Sequence, residues 1–169
     1  AAGRLWIASS EVYPQIKPGQ KANDKIIVLE DTKGVGVADK TTVFADGLLI
    51  PTGLLPGDGG VYVANSTELI HLSDTKGTGK ADKRRVVLSG FGTEDTHHML
   101  HTLRWGPDGW LYGRHGITDT SAVGAPGTPL EKRTMINCGI WRFHPTRKVF
   151  EVVCHGGTNS WGHDWNAEG

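Results

Sequence analysis

Apolar residues along this chain fall in short runs broken by polar, Gly-containing stretches, and nowhere do they keep the period of about 3.6 residues that marks an amphipathic helix. The runs predict strands at Arg4–Ala8, Ile26–Glu30 and Lys40–Ala45. A second set falls at Thr52–Leu55, Gly60–Ala64, Glu68–Leu72 and Arg84–Leu88, and a third at Leu103–Trp105, Trp110–Gly113, Gly139–Phe143 and Lys148–Val153. Trp161–Trp165 reads as the inner strand of one more unit. Glu11–Lys25 and Thr118–Ile136 carry Pro and Gly without alternation, so they read as long loops, a type that is commonly functional or disordered.

An internal repeat organises these strands. Asp31-Thr32-Lys33-Gly34-Val35-Gly36-Val37-Ala38-Asp39-Lys40 returns 43 residues later, at Asp74 to Lys83, differing only at Thr78 and Lys80. Each copy follows an apolar run and precedes a β-rich run, and each unit closes on a Gly, Gly47 or Gly90. Four short strands with their turns consume about 40 to 50 residues, the length of one propeller blade. The expectation is therefore an all-β chain, a β-propeller with about three four-stranded blades over residues 1–47, 48–91 and 92–157 and the start of a fourth at 158–169. Closing a ring takes about four to eight blades, so the chain reads as a fragment or as one part of a longer protein. Its N-terminus shows neither Met nor a signal-peptide pattern, as for a chain that begins inside a domain.

Charge narrows the function classes. Eighteen Lys and Arg balance 18 Asp and Glu among 169 residues, which gives no support to nucleic-acid or membrane-surface binding. No apolar run reaches transmembrane length. The 24 Gly suit many tight turns.

The repeated decapeptide imitates a calcium loop, with Asp31 and Asp39, or Asp74 and Asp82, at the first and ninth positions and Gly36 or Gly79 at the sixth. Lys33 and Val35, or Lys76 and Thr78, stand where further oxygen ligands belong, so the loops are degenerate for calcium. Two Asp side chains holding a Gly-rich turn through backbone N–H groups is the stronger reading. No metal ligand is assigned.

Thr93 to Tyr112 is the densest chemical signal. His97, His98 and His101 stand directly ahead of a strand beside Glu94 and Asp95, where one can act as a general base with a pKa near neutrality. Structural hydrogen bonding competes with that role. Arg114 and His115 lie just beyond the strand at Tyr112, at a position suited to touching an anionic or hydroxylated ligand. His163 beside Asp164 reads equally as an orientated base or as an inner-strand His facing a channel. Six Trp invite a carbohydrate reading; Trp6, Trp105, Trp110 and Trp141 fall in predicted strands and read as core, leaving Trp161 and Trp165 as ligand candidates. In a hairpin closing around His144–Lys148, Cys138 would face Cys154, and a cross-strand disulfide there would suit an oxidising compartment, periplasmic or secreted. The two Cys do not make a haem-attachment motif.

Gly106-Pro107-Asp108-Gly109-Trp110-Leu111-Tyr112 resembles the inter-strand turn of quinoprotein sugar dehydrogenases. Asp95-Thr96-His97-His98 through Tyr112, with Phe44-Ala45-Asp46-Gly47-Leu48 and Gly139-Ile140-Trp141-Arg142-Phe143-His144-Pro145, is similar to the propeller domain of bacterial membrane-bound dehydrogenase-like proteins. The resemblance implies a six-bladed ring, pyrroloquinoline quinone (PQQ) over its axis, a sugar or other alcohol as substrate, and a haem domain or other electron acceptor outside this chain. It also implies a His that removes the hydroxyl proton while hydride passes to the quinone: His98 by position, or His97 one residue earlier. Thr158-Asn159-Ser160-Trp161-Gly162 matches the family's quinone-holding stretch at Asn159, with Thr158 in place of its Arg. A propeller that binds a glycan or a protein partner without catalysis is the competing expectation.

Overall fold

A computed structural model describes residues 3–169. The chain is all-β, with strands β1 (Arg4–Ala8), β2 (Asp24–Glu30), β3 (Lys40–Leu48), β4 (Pro51–Gly57), β5 (Gly60–Asn65), β6 (Glu68–Ser73) and β7 (Lys83–Ser89). The remainder are β8 (His101–Trp105), β9 (Leu111–His115), β10 (Ser121–Val123), β11 (Thr134–Ile136), β12 (Gly139–His144) and β13 (Val149–His155), with one 3-10 turn at Leu130–Lys132. They form antiparallel sheets ordered β1-β2-β3, β4-β5-β6-β7 and β13-β12-β9-β8, plus the small hairpin β10-β11. Among the described residues no helix is long and apolar enough to cross a membrane.

The middle sheet is covered on both faces because its strands are apolar at successive positions rather than alternate ones. Val61, Val63, Ile70 and Leu72 point to the first sheet and bury against Ile26, Val28, Phe44 and Leu48. Tyr62, Ala64, Leu69 and Leu88 point the other way and bury against Leu103, Leu111, Trp141 and Phe143 of the third. Trp105 fixes that second seam: its indole lies where a side chain on Gly57 would stand, and its Nε1 donates to the Pro56 carbonyl at 2.9 Å.

The decapeptide joins β2 to β3 and β6 to β7, so the sequence repeat is a repeat of corresponding hairpins. Asp31 accepts the N–H groups of Lys33, Gly34, Val35 and Gly36, the last at 2.7 Å; Asp74 accepts those of Lys76, Thr78 and Gly79, the last at 2.6 Å. Asp39 and Asp82 close each turn on the N–H of Thr32 and Thr75. Those N–H bonds hold both Asp31 and Asp74 below the usual carboxylate range against the opposing effect of desolvation.

Four expectations are corrected. Thr118–Ile136 is not a plain loop, since Ser121–Val123 pairs with Thr134–Ile136 across the Gly- and Pro-bearing connection. Gly90 packs against this hairpin so closely that a Cβ there would stand 2.1 Å from the Ala122 carbonyl oxygen. Trp161–Trp165 forms no strand: Gly156, Gly157 and Gly162 take positive φ, and the segment folds back over β8 and β9. Trp110 stands one residue outside β9, under the guanidinium of Arg142 at 4.2 Å.

Cys138 and Cys154 are both free, the first buried and the second exposed. The β12–β13 hairpin pairs Phe143 with Phe150 rather than Val149, and a further register shift after Ile140 sets Ile140, not Cys138, opposite Cys154. The cross-strand disulfide and the argument it offered for an oxidising compartment are therefore withdrawn.

Candidate functional site

Three segments converge where β8 begins and β9 ends: the turn 92–100, the turn 116–119 and the C-terminal stretch 156–165. Gly116 N–H donates to the His98 carbonyl at 2.8 Å, and Asp95 N–H to Asp119 Oδ1 at 2.7 Å, which ties the first two together. The long loop after β1 joins them from outside. Asp24, fully buried, accepts the N–H groups of Glu11 and Ile50; Thr96 Oγ1 donates to the Pro14 carbonyl; and Val12, Ile50 and Met99 pack as a small separate core.

Asp95 makes the local turn. Its Oδ1 accepts the His97 N–H at 2.9 Å, and its main-chain carbonyl accepts the His98 N–H at 2.9 Å. The same carboxylate faces both rings, His97 Nδ1 at 2.7 Å and His98 Nδ1 at 3.2 Å. The backbone and ring bonds from His97, with the nearby His98, hold the Asp95 carboxyl below its ordinary range. An ionised carboxylate only accepts, so each facing Nδ1 is the donor to Asp95. His98 Nδ1 also meets Thr118 Oγ1. The His98 side chain is 14% exposed, against 57% for His97, whose ring rests edge-on to Tyr13.

His101 is buried opposite Arg114 in the β8–β9 ladder, with its Nδ1 against Thr102 Oγ1 at 2.7 Å. Between His101 and Arg104 the ladder shifts, and Thr102 takes φ 53°, a left-handed conformation rare for a β-branched residue. The bulge presents His101 to the C-terminal stretch, where Trp161 stacks on it with ring centroids 4.4 Å apart. Desolvation, then the charge of Arg114, lowers the His101 pKa to about 4, so this ring is neutral at pH 7.

Arg114 is buried too, and its Nη1 donates to the Gly162 carbonyl at 3.3 Å. His163 lies beside Tyr112 and Trp165, both of its ring nitrogens buried without a hydrogen-bond partner. Desolvation, then Arg114 and Arg104, pushes its pKa down. Arg104 clamps the same stretch through Asp164 at 3.2 Å and the His163 carbonyl at 2.7 Å.

His98, His101, Arg114, Trp161 and His163 thus form one cluster. His97 sits at its outer edge. Asn159 is exposed, with its Oδ1 accepting the Trp161 Nε1 at 2.7 Å. His115 has a structural role, buried with Nδ1 directed at the Asn137 carbonyl at 2.7 Å and Nε2 at Ser121. Thr118 and Asp119 had gone unnoticed in the sequence. Asp119 is fully buried with Oδ2 unpartnered; burial pushes its carboxyl up, and neighbouring Glu94 pushes the same way against the pull of the Asp95 N–H.

The stretch 158–162, which the resemblance aligns with a quinone cradle, lacks the cation expected for a PQQ-type quinone. That cofactor is an anionic multi-carboxylate, and Thr158 stands where a cation is expected. Asn159 accepts the Trp161 Nε1 at Oδ1 and keeps its Nδ2 donor, while Arg104 is already paired with Asp164. Among the described residues no group of three His, Cys, Asp or Glu side chains is arranged to hold a metal ion. A cleft of about 640 Å³ opens elsewhere, between the first two sheets, lined by Trp6, Phe44, Arg4, Glu30, Lys40 and Asp74, and none of the histidines reaches it.

No curated protein matches this sequence. Residues 1–169 match the family model described as Domain of unknown function (DUF7133), and the chain belongs to that family.

Proposed function

We propose that this chain is part of a β-propeller domain from a dehydrogenase-like protein, and that the histidine cluster binds a sugar or other polyhydroxylated alcohol with His98 as the base for one of its hydroxyls. The observation that carries the reading is the Asp95–His98 pair. With Nδ1 held by Asp95 and Thr118, the His98 ring is fixed, and its Nε2 makes no hydrogen bond among the described residues. Three stacked antiparallel sheets whose second and first share a hairpin repeat support the propeller. Trp161, 60% exposed, offers its outer face to a sugar ring.

The chain's own contribution to such a reaction is substrate placement and proton removal. A binding module without catalysis is the second reading, favoured by Thr158 standing where the resemblance expects a cation for the quinone. The test is calorimetric titration of the full-length protein with a panel of aldoses and polyols, followed by oxidation assays with and without added PQQ. His98→Gln should leave affinity within about threefold and lower any oxidation rate by about 10²–10⁴-fold, with His97→Gln near wild type. Binding with no oxidation under any condition would select the binding module; no binding of any polyol would sink the catalytic reading and leave only a module that binds a protein partner.

A further inference from the structure

Arg114 is a buried guanidinium with no counter-ion: among the described residues no Asp or Glu forms an ion pair with it. Its Nε has no hydrogen-bond partner, and its one side-chain bond goes to a neutral carbonyl, Gly162 O. Buried charges are ordinarily paired, because the loss of hydration is offset only by an opposite charge at close range. Both ring nitrogens of His163 are buried and unpartnered beside the same stretch, and His101 stands directly across the ladder from Arg114. The nearest acid on that stretch, Asp164, is engaged by Arg104.

We propose that Arg114, flanked by His163 and His101, binds a single carboxylate, so that the ligand of this site is an acidic sugar of the uronic or aldonic type. This rests on the polyol-binding reading given above and names the substrate class. The planar fork of an Arg matches the two oxygens of a carboxylate. One cation between two neutral imidazoles balances one negative charge, whereas a phosphate dianion would leave a net charge buried. Trp161, stacked on His101 with its other face open, lies where the ring attached to that carboxylate would pack.

The test compares glucuronate, glucose, acetate and chloride at constant ionic strength, with affinities from calorimetry and the His ring resonances followed by NMR. Glucuronate should bind about tenfold or more tightly than glucose. Signals of His101 and His163 should move with glucuronate and acetate and stay still with chloride. Arg114→Gln should abolish the preference for glucuronate over glucose, and Arg114→Lys should restore it only in part. If Arg114→Gln fails to fold, the wild-type resonance pattern decides alone. Equal affinity for glucuronate and glucose with still imidazoles would overturn the carboxylate subsite and leave the polyol site intact. Glucuronate binding with the expected ring shifts, but with no effect of His98→Gln on any turnover, would uphold the subsite and remove His98 from the chemistry.

Discussion

His101 is held between opposing demands. It packs under Trp161 as an aromatic surface, and desolvation with the nearby Arg114 takes its pKa from an ordinary 6.5 to about 4. The folded state thus binds the proton more weakly than the unfolded chain. The stability this withholds is fully present above pH 6.5 and is lost as pH falls toward 4. His163 acts with the same sign through desolvation and the same Arg114 charge, while Asp119, whose carboxyl burial pushes up, gains stability on acidification and opposes them. From the His101 shift alone, stability should drop by about 2 kcal/mol between pH 7 and pH 5. Urea unfolding at a series of pH values measures it. His101→Phe should make the profile shallower; an equally steep profile in that variant would assign the effect to other groups. Three neighbouring histidines were visible in the sequence, but their division of labour was not. It depends on which nitrogen faces Asp95, on a bulge at Thr102, and on a C-terminal stretch that folds back, and none of these is a local property of the sequence.

At the level of elements, the repeated turn was the most legible feature. Asp31 and Asp74 each satisfy several N–H groups that a Gly-rich turn cannot satisfy from its own carbonyls. Asp74→Ala leaves those donors to water and should lower the thermal unfolding midpoint, with Asp74→Asn recovering part of the loss. Thermal unfolding with calcium or with chelator should give the same midpoint in the wild type, because Lys33 and Lys76 occupy ligand positions of the loop. A midpoint that rises by several degrees with calcium would instead make the turn a metal site. A second repeated device escaped the sequence reading. Asp58 and Asp108 each accept the hydroxyl of a Tyr four residues on, Tyr62 and Tyr112, at the turns β4–β5 and β8–β9. The signal, Asp-Gly followed by Tyr after two residues, was present at both places but too short to stand out. The β10–β11 hairpin escaped because Pro126, Gly127 and Pro129 dominate its connection, and the Cys138–Cys154 pairing failed because the hairpin closes one residue out of the expected register and the ladder shifts once more after Ile140.

Across the whole molecule the sheets stack in chain order, and the outer ones carry the consequence. The middle sheet is buried on both faces, whereas β1 lies at an edge of the first sheet with Leu5 61% and Ile7 36% exposed on one face. Trp6, between them, turns inward and meets Phe44 edge-on at 4.9 Å. This is the alternation of a strand whose outer face is also apolar, next to a row of unpaired N–H and C=O groups, the combination that recruits another chain. The isolated 169-residue chain should therefore associate in a concentration-dependent manner. Replacing Leu5 and Ile7 together by Lys puts charge on the outer face and leaves Trp6 in the core, so the double variant should sediment as a monomer at concentrations where the wild type does not. Analytical ultracentrifugation across a hundredfold range of concentration distinguishes the cases. If wild type and variant associate alike, attention moves to β13, where Val149 and Val153 are exposed at the far edge of the third sheet. If neither associates, the edges are protected by twist and charge alone, and Arg4 and Lys40, both bonded to Glu30, are the residues placed to do it.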